Sequence, residues 1–239
     1  MNEPEEIKVV LIGDSGVGKT SIISQFINHK FDPYCQISLN SEFSIKVIEY
    51  PEYHKSLKFN IWDTVGQEKY RSLAKIFYKN AEVIILVYDL TSERSFSSIK
   101  DYWYNEIVKN ANNNPILVLV GNKADLRKDD ITYYNESCKN YANEIKAIFG
   151  QISALSYSGV SHLFEKIGKK IIDPECILDD TISTTTPNEI ISDLKTIKSN
   201  QSNKTEKSCT TNESRRTKRG TYKLKSTKSI INNEKKKCC

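Results

Sequence analysis

An eight-residue stretch near the start of the chain, residues 13–20, constrains the fold more than any other feature of the sequence. It reads GDSGVGKT and matches the phosphate-binding pattern G-x-x-x-x-G-K-[ST] at every fixed position. The apolar run at 7–12 predicts a buried strand before it, and the apolar residues spaced through 21–28 predict a helix after it. Glycines let backbone N–H groups surround a phosphate, and the helix dipole favours the same anion. The sequence therefore predicts an α/β fold with a phosphate site at this loop.

The residue types inside the loop predict separate roles. The Lys19 ammonium can reach the outer phosphates of a nucleotide, and the Thr20 hydroxyl can bind Mg²⁺. The backbone amides supply the remaining donors. The predicted nucleotide contacts of this loop are Ser15, Gly16, Val17, Gly18, Lys19 and Thr20.

Charge divides the chain into a neutral part and a basic part. The net charge of the 239 residues is +5, but residues 1–172 are neutral, 173–194 are acidic and 195–239 are strongly basic. A basic segment outside a neutral domain argues against a nucleic-acid-binding fold. Residues 173–239 are rich in Ser, Thr, Asn and Lys and poor in aromatic residues, which is typical of disorder. We predict a globular domain at 1–172 and a disordered tail at 173–239.

Cysteine spacing and the absence of long apolar runs indicate the compartment. The six cysteines show neither disulfide nor paired-metal spacing, which suits a reducing environment. The N-terminus has no apolar signal segment, and the longest apolar runs have the length of a strand. We therefore expect a cytoplasmic protein without a signal peptide or membrane span.

Predicted strands and helices alternate beyond the loop. Two segments of alternating polarity with a turn between them predict an antiparallel hairpin. Later strands separated by helices predict a mostly parallel sheet of six strands, one of them antiparallel, with helices on both faces. Ligands bind at the carboxyl ends of the strands in such a sheet. Beyond the loop at 31–42, the predicted strands are 43–48, 57–62, 83–88, 116–120 and 147–152, and the predicted helices are 94–110, 135–144 and 160–172.

Two later motifs follow predicted strands. Residues 63–68 read DTVGQE, and residues 121–125 read GNKAD. Together with the loop at 13–20 and the pair Ser153-Ala154, in this order, they resemble the small GTPases over residues 5–172. The resemblance implies a P-loop GTPase domain that binds GTP or GDP and hydrolyses GTP to GDP and phosphate.

The resemblance also assigns the nucleotide base. Asp125 would accept two hydrogen bonds from guanine, Asn122 would contact the base, and the Lys123 stem would lie over the ring. Adenine lacks the donor pattern that a carboxylate can pair with, so an ATP-using enzyme is disfavoured. The resemblance adds contacts from Phe31, Ser153, Ala154 and Leu155.

Catalysis in this family depends on positioning and charge. The resemblance implies Mg²⁺ ligation by Thr20 and Ser38, with Asp63 holding the ion through water. The Gly66 N–H would contact the γ-phosphate, and Gln67 would orient the attacking water. No arginine finger can be assigned within the chain, so intrinsic hydrolysis should be slow, roughly 10⁻⁴ per second, and should need an activator that supplies an arginine.

Four positions depart from the family pattern. Ser38 keeps a hydroxyl but lacks a methyl group, and Asn40 stands where the family has Gly. Val65 replaces Ala beside Gly66, and Leu155 replaces the Lys of Ser-Ala-Lys, which puts the support of the guanine loop in question. The departures leave open an alternative of another class, a nucleotide-binding adaptor with little or no hydrolysis, in which switch I, the segment that contains Ser38 and Asn40, is altered.

Within the small GTPases the chain resembles the Rab branch, through segments at 69–74, 77–81 and 88–91 and the terminal KKKCC. A weaker resemblance through 68–74 and Tyr102-Trp103 points to the early-endosomal subgroup. The branch implies a monomeric switch in vesicle trafficking that works with an exchange factor, a GTPase activator, an escort or dissociation-inhibitor protein and effectors. Its aromatic effector surface would comprise Phe43, Trp62 and Phe77.

The last two residues, Cys238 and Cys239, resemble the double-cysteine terminus of Rabs, which carries two geranylgeranyl groups. C-a-a-X prenylation needs a Cys fourth from the end, where this chain has Lys236. Two lipid chains give stable anchoring, and the bases at 235–237 would add attraction to an anionic leaflet. We therefore expect the protein on the cytoplasmic face of an intracellular membrane, endosomal or of another vesicle, as well as in the cytoplasm.

Overall fold

The computed structural model describes residues 3–34, 42–64, 76–111, 113–126 and 132–176. Several predicted features lie outside these residues: Ser38, Asn40, Val65, the Gly66–Gln67 pair, the segment 68–74, and the tail beyond residue 176 with its terminal cysteines. The division into a domain at 1–172 and a disordered tail therefore stays a prediction. No helix in the described ranges is long and apolar enough to span a membrane.

A single six-stranded sheet organises the described residues, in the order β2-β3-β1-β4-β5-β6. β2 and β3 pair antiparallel, and the pairs β1–β3, β1–β4, β4–β5 and β5–β6 are parallel. The predicted mixed sheet is thus confirmed. The strands are β1 (Glu5–Ile12), β2 (Glu42–Tyr50), β3 (Lys55–Asp63), β4 (Val83–Asp89), β5 (Ile116–Asn122) and β6 (Ile148–Gln151).

The helices lie close to the predicted positions, with one larger difference. The predicted helix at 94–110 is interrupted by a π-helical turn, Ile99–Trp103, between two α-helical pieces. Smaller differences are that Glu42 already belongs to β2 and that the predicted turn after β2 forms a short 3₁₀ helix. The helices are α1 (Lys19–Asn28), α2 (Glu93–Ser98), α3 (Tyr104–Asn110), α4 (Thr132–Glu144) and α5 (Val160–Ile172).

The sheet is covered on both faces because successive side chains of its central strands point to opposite sides. On β1, Val9 and Leu11 join a core cluster that includes Phe26 of α1 and Phe164 of α5. The alternate residue Val10 joins a second cluster with the helical elements on the other face. The rings of Phe26 and Phe164 stack with centroids 3.7 Å apart. This packing holds the strand ends rigid where the motifs lie.

One glycine inside α5 is required by a neighbouring side chain. Tyr50 is 1% exposed, and its hydroxyl donates to the Phe164 carbonyl at 3.4 Å. A Cβ on Gly168 would overlap the Tyr50 hydroxyl and ring. Gly168 therefore lets the end of β2 pack closely against α5.

Candidate functional site

The carboxyl ends of the parallel strands bring the predicted motifs together at one edge of the sheet. The loop at 13–20 follows β1, Asp63 ends β3, and Asn122 ends β5. The pair Ser153-Ala154 follows β6. Side chains that are distant in sequence are therefore neighbours at this edge, as the parallel topology predicts.

Glycine is needed at two positions of the loop. Gly13 has φ +147° and Gly18 has φ +97°, conformations that favour glycine. A Cβ on Gly13 would collide with the Val87 carbonyl of β4, and one on Gly18 would collide with the Asn122 amide. The loop backbone thus packs directly against β4 and the end of β5, which fixes its position on the sheet.

Lys19 keeps its ammonium group inside the loop. Its Nζ donates to the carbonyl oxygen of Gly13 at 3.0 Å and to that of Asp14 at 2.9 Å. Lys19 is 6% exposed, and burial lowers its pKa to about 8, although the carboxylates of Asp63 and Asp14 act in the opposite direction. A buried cation held by neutral carbonyls is favoured by an added anion. The loop therefore fits a phosphate group.

Thr20 and Asp63 form a hydroxyl–carboxylate pair beside Lys19. Thr20 Oγ1 donates to Asp63 Oδ2 at 2.5 Å, and Asp63 is 2% exposed. The adjacent Thr64 Oγ1 donates to the Leu11 carbonyl at 2.6 Å, which holds the end of β3 against β1. Hydroxyl and carboxylate oxygens are the hard ligands that Mg²⁺ prefers. The donor set of Thr20 and Asp63 therefore fits this ion.

Asn122 joins three segments through one buried amide. Its Nδ2 donates to the Val17 carbonyl of the phosphate loop at 2.9 Å, and its Oδ1 accepts from the Ala154 N–H at 3.0 Å. Asn122 is 1% exposed. Asn122, for which the family resemblance predicts a contact with the base, thus clamps the phosphate loop to the segment after β6.

Asp125 presents an exposed carboxylate next to this clamp. Its Oδ1 accepts a short hydrogen bond from Ser153 Oγ. Ser153 Oγ in turn accepts from the Ser156 N–H at 3.1 Å. One oxygen of Asp125 is therefore oriented by the protein, and the carboxylate is accessible to a ligand with paired N–H donors.

Lys123 is held by Asp89, an acid to which the sequence motifs gave no role in the site. Its Nζ lies 2.6 Å from Asp89 Oδ2 at the end of β4, and Lys123 itself has φ +67°. Burial of Asp89 opposes its ionisation, but hydrogen bonds from Lys123 and Thr91 outweigh this effect and lower its pKa. Asp89 thus fixes the direction of the Lys123 stem at the edge of the site.

Comparison with known proteins identifies the family. Residues 8–173 match the Ras family. Human Ras-related protein Rab-22A is 39% identical over 167 residues, which cover 70% of this chain and 84% of that protein. GTP-binding protein ypt5 of Schizosaccharomyces pombe is 37% identical over 164 residues, 69% and 77% of the two chains. Ras-related protein RabC of Dictyostelium discoideum is 33% identical over 172 residues, 72% and 86%.

The chain is a Rab-type member of the Ras family. The predicted family and GTPase function, a switch in vesicle trafficking, are thereby confirmed, and the adaptor alternative is not favoured. The assignment of individual residues to roles in this Rab chain rests on the geometry above and stays a prediction.

The predicted effector residues of this Rab lie together: Phe43 and Trp62 are on the outer strands β2 and β3, and Phe77 is in a helical turn beside them. Phe43 and Trp62 are paired across β2 and β3, with ring centroids 4.9 Å apart, and the rings of Trp62 and Phe77 are 5.6 Å apart. Phe43 is 48% exposed. Phe31, predicted to lie beside the base, is half-buried and packs against the core cluster that contains Phe26. The rings of Phe43, Trp62 and Phe77 thus form a contiguous aromatic surface.

The segment after β6 contains Leu155, one of the four residues that depart from the family pattern, but buried contacts from another element hold it. Leu155 is 52% exposed. The segment is held instead by Gln25 of α1, whose Nε2 donates to the Ala154 carbonyl at 2.6 Å and the Leu155 carbonyl at 3.4 Å. Gln25 is 5% exposed and 129 residues from Ala154 in sequence. Sequence reasoning missed this contact because helix spacing alone marks Gln25 only as one residue of α1.

Proposed function

We propose that this Rab switch binds GTP and GDP across the edge of the sheet, with the phosphates at residues 13–20 and guanine at Asp125. The observation that carries the proposal is the clamp at Asn122, which ties the phosphate loop to the segment that orients Asp125. Phosphate binding and base recognition are thereby built into one connected unit. A guanine nucleotide would bind to both, with its phosphates at residues 13–20 and its base at Asp125.

The residues of the chain act by binding and positioning. Lys19 and the loop amides hold the phosphates, and Thr20, Ser38 and Asp63 would hold Mg²⁺. The ion, when bound, supplies positive charge that neutralises the β- and γ-phosphate oxygens. Gln67 orients a water molecule toward the γ-phosphorus, and the Gly66 N–H binds a γ-phosphate oxygen. Water attack breaks the bond between the γ-phosphorus and the bridging oxygen and releases GDP and phosphate.

The proposed partners and location follow from the Rab assignment. The aromatic surface of Phe43, Trp62 and Phe77 would bind effectors, and an exchange factor and an activator would set the nucleotide state. Prenylation of Cys238 and Cys239 would require an escort protein and would place the chain on the cytoplasmic face of an endosomal or other vesicular membrane. Between membranes, a dissociation inhibitor would carry the chain as a monomer through the cytoplasm.

Nucleotide competition on the purified full chain tests this proposal. GTP should displace a fluorescent GDP analogue at concentrations several orders of magnitude below those at which ATP does so. Asp125→Asn should shift the preference toward xanthine nucleotides, because an amide can donate to the xanthine oxygen where a carboxylate cannot. Asp101→Asn, which alters an exposed acid on the π-helical turn, is the matched control and should keep the guanine preference. Equal competition by ATP and GTP would refute the guanine assignment.

A further inference from the structure

A hydrogen bond links Asp14 of the phosphate loop to Trp103 of the π-helical turn. The indole N–H of Trp103 donates to Asp14 Oδ1 at 2.9 Å across 89 residues of sequence. Asp14 is the second residue of the loop, and Trp103 is the last residue of the turn Ile99–Trp103. π-Helical turns are rare in proteins, and those that occur are often found at functional sites. This contact therefore merits a functional explanation.

Trp103 is anchored firmly enough to position the loop. It is 0% exposed and belongs to the core cluster on the face of the sheet that carries Val10 and Ile84. A buried indole N–H usually needs an acceptor. The indole uses a loop carboxylate for this purpose, so the rigid core and the phosphate loop are directly connected.

Asp14 is held at both its side chain and its backbone. Trp103 binds the carboxylate, while the Asp14 carbonyl accepts from Lys19 Nζ at 2.9 Å. A hydrogen bond to a charged group is about twice as strong as one between neutral groups. The hydrogen bond also directs one carboxylate oxygen toward the indole, so that this negative charge is engaged within the protein.

We propose that Trp103 is a positioning residue for the phosphate loop, and that its hydrogen bond to Asp14 slows the release of bound nucleotide. This inference rests on the proposed function. Trp103 acts through Asp14, whose backbone carbonyl accepts a hydrogen bond from the Lys19 ammonium. Loss of the indole hydrogen bond frees the loop backbone next to that ammonium, and the nucleotide then dissociates faster.

A double-mutant cycle on GDP release from the full chain tests the inference. Asp14→Ala and Trp103→Phe should each accelerate release about tenfold, which corresponds to about 1.4 kcal/mol. The double variant should be no faster than the faster single variant, because both changes remove the same bond. Asp14→Asn keeps an oxygen acceptor, although an uncharged one, and should release GDP more slowly than Asp14→Ala. Asp101→Ala, an exposed acid on the same turn, is the matched control and should release GDP at the wild-type rate.

Several results would overturn the inference. If the accelerations of GDP release caused by the two substitutions multiply in the double variant, the bond does not act on the nucleotide. Equally fast release from Asp14→Asn and Asp14→Ala would show the same. If Trp103→Phe does not fold, the emission of Trp103 in a Trp62→Phe background gives a second test. That emission should differ from the parent in Asp14→Ala, which lacks the acceptor, more than in Asp14→Asn, which keeps one, and identical emission from all three would contradict the inference.

Different results would refute the proposed function and the role of Trp103. A wild-type chain that does not bind GDP would refute the proposed function and this inference with it. Normal GDP binding combined with independent effects at Asp14 and Trp103 would refute the inference alone.

Discussion

Replacement of Asn122 by alanine tests the clamp at the centre of the site. The change removes the donor to the Val17 carbonyl and the acceptor for the Ala154 N–H, at a position that is 1% exposed. A buried polar group left without a partner costs about 1–3 kcal/mol. With two such groups, Asn122→Ala should lower the free energy of unfolding by about 2–6 kcal/mol.

Urea denaturation of the full chain, followed by circular dichroism and extrapolated linearly to water, measures this loss. Asn105→Ala is a matched control, because Asn105 Nδ2 also donates twice, to the Lys100 carbonyl at 3.2 Å and the Asp101 carbonyl at 3.1 Å, but in an exposed position. Water can replace those bonds, so the control should stay within about 0.5 kcal/mol of wild type. Equal stabilities of the two variants would refute the view that the Asn122 amide holds the three segments together.

Three further predictions concern the phosphate site, the core and the membrane anchor. Because Lys19 has a lowered pKa of about 8 and phosphates bind its protonated form, GDP affinity should fall about tenfold between pH 7 and pH 9; a flat affinity profile would contradict this. Gly168→Ala should destabilise the fold by about 1–3 kcal/mol in urea denaturation, and unchanged stability would refute the packing argument. Cys238→Ser with Cys239→Ser should make the protein soluble in cell fractionation without altering GTP affinity, and a double variant that stays firmly in membranes would refute double prenylation.

Much of the fold could be predicted because its determinants are local in sequence. Alternation in 43–48 and 57–62 predicts the β2–β3 hairpin, and the buried run at 83–88 predicts a central parallel strand. The π-helical turn at Ile99–Trp103 could not be predicted. It differs from an α-helix only in its hydrogen bonds, which join residues five positions apart instead of four.

The site was predictable where function fixes a contiguous motif. The residues of 13–20 and 121–125 meet as expected because each stretch lies at the carboxyl end of a parallel strand. The contacts that brace them were not predictable: Gln25 reaches Ala154, and Trp103 reaches Asp14, through pairings set only by tertiary packing. A lone Gln on a helix or a lone Trp carries no spacing pattern that would reveal its partner.

Single-turnover GTP hydrolysis tests the central claim, a guanine-nucleotide switch of the Rab type, most directly. The purified full chain, loaded with GTP and Mg²⁺, should release phosphate slowly, at roughly 10⁻⁴ per second, and much faster when a Rab-type activator is added. Gln67→Leu should abolish the acceleration, because leucine cannot orient the attacking water. Equal rates for wild type and Gln67→Leu in the presence of activator would contradict the account and would favour an adaptor that binds nucleotide without switching.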